Sequence, residues 1–97
     1  MLVLITYDVC VISNDGKNRL RHIAKICLDY GLRVQNSVFE CDVEPAHFVT
    51  LKKRLLDAYD PQQDSLRFYF LGKNGRKKVE HAGAKPIQDP LRDTLII

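Results

Sequence analysis

Apolar residues at helical spacing, Leu20, Ile23, Ala24, Cys27 and Tyr30, lie between two runs that read as extended chain, and this change of period most limits the folds open to the sequence. The run before the stripe, Leu2 to Val9, is β-branched and aromatic, and the turn formers Ser13, Asn14, Asp15 and Gly16 follow it. A buried strand thus passes through a loop into an amphipathic helix from Lys17, whose other side carries Lys17, Arg19, Arg21, His22, Lys25 and Asp29. Asn14 or Asp15 is the expected N-cap, and Gly31 is expected to close the helix in the left-handed conformation.

Between Arg33 and Val43 the period becomes two, with Ser37, Phe39, Cys41 and Val43 on one face and Val38, Glu40 and Asp42 on the other. Glu44-Pro45 suits the opening of a second helix, marked by Phe48, Leu51, Leu55 and Ala58 and ending near Asp60-Pro61. Leu66 to Leu71 then reads as a strand, and Gly72-Lys73-Asn74-Gly75 as a turn into a shorter extended stretch at Lys78 to Glu80. The order strand, helix, strand, helix, strand, strand supports an α+β sandwich with both helices on one sheet face. A ferredoxin-like βαββαβ arrangement with an extra C-terminal strand fits best. It requires the chain to bend around Gln35-Asn36-Ser37 so that Arg33 to Val43 supplies two strands. The apolar triplet Leu95-Ile96-Ile97 is expected to dock as a short strand.

At 97 residues, one domain spanning 1–97 is expected. The balance of 45% hydrophobic and 28% charged residues is that of a folded chain, not a disordered one. No stretch approaches the roughly 18 consecutive apolar residues of a membrane span, and the apolar start has neither a basic n-region nor a small-residue cleavage site. A soluble cytoplasmic protein is the expectation. A net charge of +3 is compatible with a phosphate-bearing partner but too mild to decide one. Cys10, Cys27 and Cys41 are too scattered for a ligand pair or a disulfide framework and read as buried or spare thiols.

Asp8 closes an otherwise apolar strand between Tyr7 and Val9. A carboxylate there is a hard oxygen ligand suited to Mg²⁺, which needs only one or two protein carboxylates when phosphate fills the remaining positions. It is equally an aspartate that caps the following turn through its own backbone. One carboxylate per chain is sparse for a nuclease, but a two-fold dimer pairing the same patch would bring two copies together. Basic residues gather at Lys17 to Lys25, at Arg33, at Lys52-Lys53-Arg54 and at Lys73 to Lys78. They can track phosphates without base readout, or simply be solvated faces. His22, His47 and His81 have no partner at ligand spacing, and the sequence has no Gly-rich phosphate loop, nucleophile elbow or H-E-x-x-H pattern.

Tyr7-Asp8 at the end of the first strand, the Y-G-x-R-V-Q-x-S-V-F-E stretch from Tyr30 to Glu40 and the apolar C-terminal triplet together resemble the CRISPR-associated Cas2 family, over most of the chain. The F-Y-F-L-G run and V-E-H-A-G-A-K-P resemble members that accompany subtype I-C systems. The resemblance implies a homodimer in which the segment 82–97 docks on the partner subunit. It also implies work with the Cas1 integrase in capturing spacers from foreign DNA. A Mg²⁺-dependent endonuclease is implied, on double-stranded DNA or single-stranded RNA, with Mn²⁺ as a substitute ion. Carried over by position, Asp8 is the metal ligand and Asp8 with Tyr7 the catalytic pair. Tyr7, Arg33, Ser37 and Phe39 line or border the dimer cleft. Of the basic clusters read from the sequence, Lys17, Arg19, Arg21, Arg33, Lys52, Lys53, Arg76 and Lys77 are the expected contacts to the DNA or RNA backbone. Cys10 and Val11 stand where polar residues are more usual.

Three other functions fit such a fold. A non-catalytic DNA-binding scaffold bridging Cas1 dimers would use the Lys and Arg faces and leave Asp8 dispensable. A toxin-type ribonuclease would act without Cas1. A small-molecule regulatory module would need a ligand loop, and the sequence offers none that is distinctive.

Overall fold

The computed structural model describes residues 1–72 and 79–84. In chain order the elements are β1 (Leu2–Asp8), α1 (Asn14–Tyr30), β2 (Gly31–Gln35), β3 (Val38–Asp42), α2 (Pro45–Ala58), β4 (Ser65–Leu71) and β5 (Val79–Gly83). They form one antiparallel sheet ordered β2-β3-β1-β4-β5. Each helix joins two strands separated by a third, β3 between β1 and β2 and β1 between β3 and β4, which is the ferredoxin-like arrangement. β5 is the extra strand, added to the edge beyond β4.

Hydrophobic burial follows from β1 lying in the middle. Val3, Ile5 and Tyr7 share one core with Ile23, Ile26 and Cys27 of α1, Phe48, Leu51 and Leu55 of α2, Phe39 and Cys41 of β3 and Leu66 and Phe68 of β4. Both helices therefore cover the same sheet face. Phe48 meets Phe68 and Phe70 edge-on at 5.6 and 5.2 Å between ring centroids. On the opposite face, Leu4 and its cross-strand partner Tyr69 are also buried. No helix of the described residues is long and apolar enough to cross a membrane.

The bend at Asn36-Ser37 is present and splits the stretch into β2 and β3, with a register shift between Arg33 and Gln35. Phe39, Cys41 and Val43 point into the core as their alternation predicts. Two helix-end expectations are corrected. The N-cap of α1 is Ser13, whose hydroxyl accepts from the Gly16 N–H at 3.3 Å, so the helix opens before the residues expected to cap it. Gly31 is extended, not left-handed, and already belongs to β2. Its small size serves close packing, since a Cβ there would fall on the Glu40 carbonyl and against the Cys41 sulfur.

Ala82 and Gly83, at the start of the segment expected to dock on a partner, pair with Leu66 and Ser65 of the same chain. Ala82 packs against the core, which carries β5 beyond the Lys78 to Glu80 stretch. Residues 73–78 and 85–97, on which most of the expected Gly72 to Gly75 turn and the apolar C-terminal triplet fall, lie outside the described residues. All three cysteines are free. Burial pushes the Cys27 thiol up to about 12 and the Cys41 thiol up to about 11, so neither is reactive in the folded state.

Phe68 is fully buried where α2 meets the sheet. Phe68→Ala is expected to lose about 3–5 kcal/mol by the cavity it leaves, read from urea midpoints. A loss below about 1 kcal/mol would contradict this core assignment.

Candidate functional site

Alternation sends the last two side chains of β1 to opposite faces of the sheet. Tyr7 turns toward the helices, where its ring stacks on Phe39 at 6.0 Å and its hydroxyl donates to the Asn36 carbonyl at 3.2 Å. Its backbone N–H donates to the Ser37 carbonyl, also at 3.2 Å, tying β1 to the β2–β3 turn. The Arg33 guanidinium lies over the Phe39 ring, 5.1 Å from its centroid. Burial raises the Tyr7 hydroxyl above its usual pKa, the Cys27 thiol adds to this, and Arg33 offsets it in part. Asp8 is exposed on the face turned away from the helices, opposite Ser65.

Tyr7 and Asp8, both expected at the catalytic site, therefore lie on opposite faces of the sheet. Phe39, expected to line a cleft, is fully buried in the chain's own core and supports Tyr7 and Arg33 from beneath. Ser37 is half-buried at the turn, with its carbonyl engaged by Tyr7. Among the described residues, no group of three or more His, Cys, Asp or Glu side chains is placed to hold a metal.

Sequence reasoning passed over Asp64, which is fully buried just before β4. Its carboxylate accepts from the Cys10 N–H at 3.0 Å, the Asp60 N–H at 2.8 Å and Arg19 Nε at 2.8 Å. Arg19 Nη2 also donates to it, and to the Cys10 carbonyl, each at 3.3 Å. Arg19 is thus turned inward from the polar side of α1, where its spacing had placed it for phosphate contact. The sequence signal for Asp64 was only that of a turn aspartate, since its partner lies 45 positions away.

Of the other cations, Lys17, Arg21 and Lys25 are exposed along α1, with Arg21 donating to the Asn18 side-chain oxygen. Lys52 pairs with Glu80 at 2.7 Å and Lys53 with Asp57 at 3.4 Å, which reduces the net positive charge they present. Arg76 and Lys77 lie outside the described residues. His22 and His47 are exposed. His81 is held below its ordinary pKa by burial and by Arg67, so it is neutral at pH 7.

The three strands that carry Tyr7, Asp8, Arg33 and Phe39 fall within residues 1–79, which match the family described as CRISPR associated protein Cas2. The chain belongs to the Cas2 family. A relative from Nitratidesulfovibrio vulgaris named CRISPR-associated endoribonuclease Cas2 is 61% identical over 93% of this chain and 88% of its own length. One from Halalkalibacterium halodurans named CRISPR-associated endonuclease Cas2 is 55% identical over 94% of this chain and 98% of its own length. The crystal structure of Streptococcus pyogenes Cas2 superposes with a TM-score of 0.71 at 59% identity, covering 82% of this chain and 96% of that one. Its function is therefore the CRISPR-associated one of Cas2 proteins.

Burial alone would push the Asp64 carboxyl up, but donation by Arg19, Asp60 and Cys10 outweighs it and holds the group below its ordinary value of 3.8. A carboxyl depressed on folding stabilises fully above its unfolded value, and that contribution fades as pH falls through the folded one. Stability of the parent is expected to fall as pH drops below about 4, with a share that Asp64→Asn removes. Urea midpoints across that range check this, and parallel curves for the two proteins would contradict it.

Proposed function

We propose that two copies of this chain meet through the sheet face turned away from the helices and act on nucleic-acid backbones, with the two Asp8 carboxylates sharing a divalent ion. The exposure of Asp8 at the end of that face carries the reading. The same face offers Leu2, Val38 and Leu71 along its strands, around the buried pair Leu4 and Tyr69, which suits an isologous contact. The names of the relatives support a nuclease, one an endoribonuclease and another an endonuclease. The Cas1 integrase is the expected partner in spacer acquisition.

Asp8 fits Mg²⁺, or Mn²⁺ in its place, because it is a hard oxygen ligand open to solvent, and such ions need few protein carboxylates when phosphate completes the shell. The bound ion would activate water and neutralise charge on the phosphodiester. The chain's own part is to hold that carboxylate on a rigid central strand. Tyr7 and Phe39 act from behind the sheet by fixing the strand end and the β2–β3 turn, and Arg33 is exposed beside them for phosphate contact.

Asp8→Asn is expected to abolish Mg²⁺-dependent cleavage of single-stranded RNA or duplex DNA while leaving the dimer intact. Both substrates are to be assayed with Mg²⁺ and with chelator. Cleavage by the mutant at the parent rate would remove the catalytic role.

A scaffold reading is favoured by the open cationic row of Lys17, Arg21 and Lys25 on α1. If that row tracks phosphates, the double change Lys17→Glu and Lys25→Glu weakens duplex binding and lowers the salt slope by about 2. The pair Lys52→Glu and Lys53→Glu is expected to change it less, because their charges are already matched by Glu80 and Asp57. Equal effects of the two double variants, read from affinity against salt, would contradict this assignment.

A further inference from the structure

We infer that Asp64, with Arg19 as its partner, is the positioning element that fixes the backbone leaving β1 and so holds Asp8 in place for its divalent ion. This inference rests on the reading of Asp8 given above. Asp64 and Arg19 grip the same residue, Cys10, through the peptide units on its two sides. The carboxylate takes the Cys10 N–H and the guanidinium takes the Cys10 carbonyl, two residues beyond Asp8. The pair is closed by two contacts of its own, Nε at 2.8 Å and Nη2 at 3.3 Å. α1 closes on the same carbonyl, since a Cβ at Gly16 would fall on the Cys10 oxygen.

Asp64 also immediately precedes β4, the strand that pairs with the end of β1. The next residue, Ser65, is the register partner of Asp8, and the Asp64 carbonyl accepts the Ala84 N–H at 3.0 Å. The Asp64 side chain therefore joins the exit of β1, the first turns of α1 and the turn before β4, and its backbone carbonyl ties in the end of β5. Stability alone does not explain it, because a buried ion pair is often no better than apolar residues of the same volume. Charge-assisted hydrogen bonds differ in being directional. What this pair adds is a fixed orientation for the chain just after the metal-binding carboxylate, in the way that supporting hydrogen bonds orient metal ligands elsewhere.

The test uses the full-length chain and Mn²⁺ as the probe ion. Asp64→Asn and Arg19→Lys are compared with the parent, with Asp8→Asn, and with Leu55→Ala, a buried core variant whose side chain makes none of the clamp's hydrogen bonds and which controls for general destabilisation. Mn²⁺ affinity is measured by calorimetry and the Cys10 amide by hydrogen exchange. Arg19→Lys keeps the charge but not the planar fork, so it serves if Asp64→Asn fails to fold.

The expected result is faster exchange at Cys10 and a fall in Mn²⁺ affinity of about tenfold or more in the clamp variants. Leu55→Ala should keep both near the parent values. Parent-like Mn²⁺ affinity in folded clamp variants, with affinity lost in Asp8→Asn, would overturn the positioning role alone. An equal loss in Leu55→Ala would overturn it as well. Parent-like affinity in Asp8→Asn would overturn the reading of Asp8 itself, and the inference with it.

Discussion

The two-residue period of β1, the central strand of the sheet, is the constraint on which the rest of the structure depends. With strands on both sides and helices on one face only, Val3, Ile5 and Tyr7 must face the helices, and their neighbours must face away. A slip of one residue would bury Asp8 in an apolar core without its partners, at a cost of several kcal/mol. The register of β1 against β3 and β4 therefore places the carboxylate as firmly as it places the core. Tyr7 belongs to this account as an anchor: its ring, its hydroxyl and its backbone N–H tie the strand end to Phe39, Asn36 and Ser37.

Around that strand end two kinds of interaction divide the labour. On the helix side, aromatic packing and the Arg33 cation over Phe39 hold the β2–β3 turn against β1. On the loop side, a fully buried carboxylate and an arginine hold the backbone that follows. Neither group touches the outer face directly. Both limit how far Asp8 can move, which matters because a metal ligand displaced by about 1 Å loses most of its value.

Local periodicity made most of the fold legible. Alternation at Phe39, Cys41 and Val43 and the stripe through Ile23 and Cys27 describe faces that packing then uses, and the bend at Asn36-Ser37 followed from the need for two strands. Asp8 stood out because a carboxylate closed an apolar run. What could not be read were contacts between residues far apart in sequence. Arg19 looked like any cation on a polar helix side, and Asp64 like any turn aspartate, until the fold brought them to 2.8 Å. Tyr7 and Asp8 entered together from the family resemblance, and their adjacency in a strand is what sends their side chains to opposite faces. Gly31 was misread for a similar reason, since its neighbour in space is Glu40, on the paired strand.

The central claim is that two chains present their Asp8 carboxylates to one shared ion. Titration of the dimer with Mn²⁺, counting ions bound per chain in the parent and in Asp8→Asn, tests it most directly. The account predicts one ion for every two chains in the parent and no such site in the variant. One ion for each chain, or a site that survives in the variant, would contradict it.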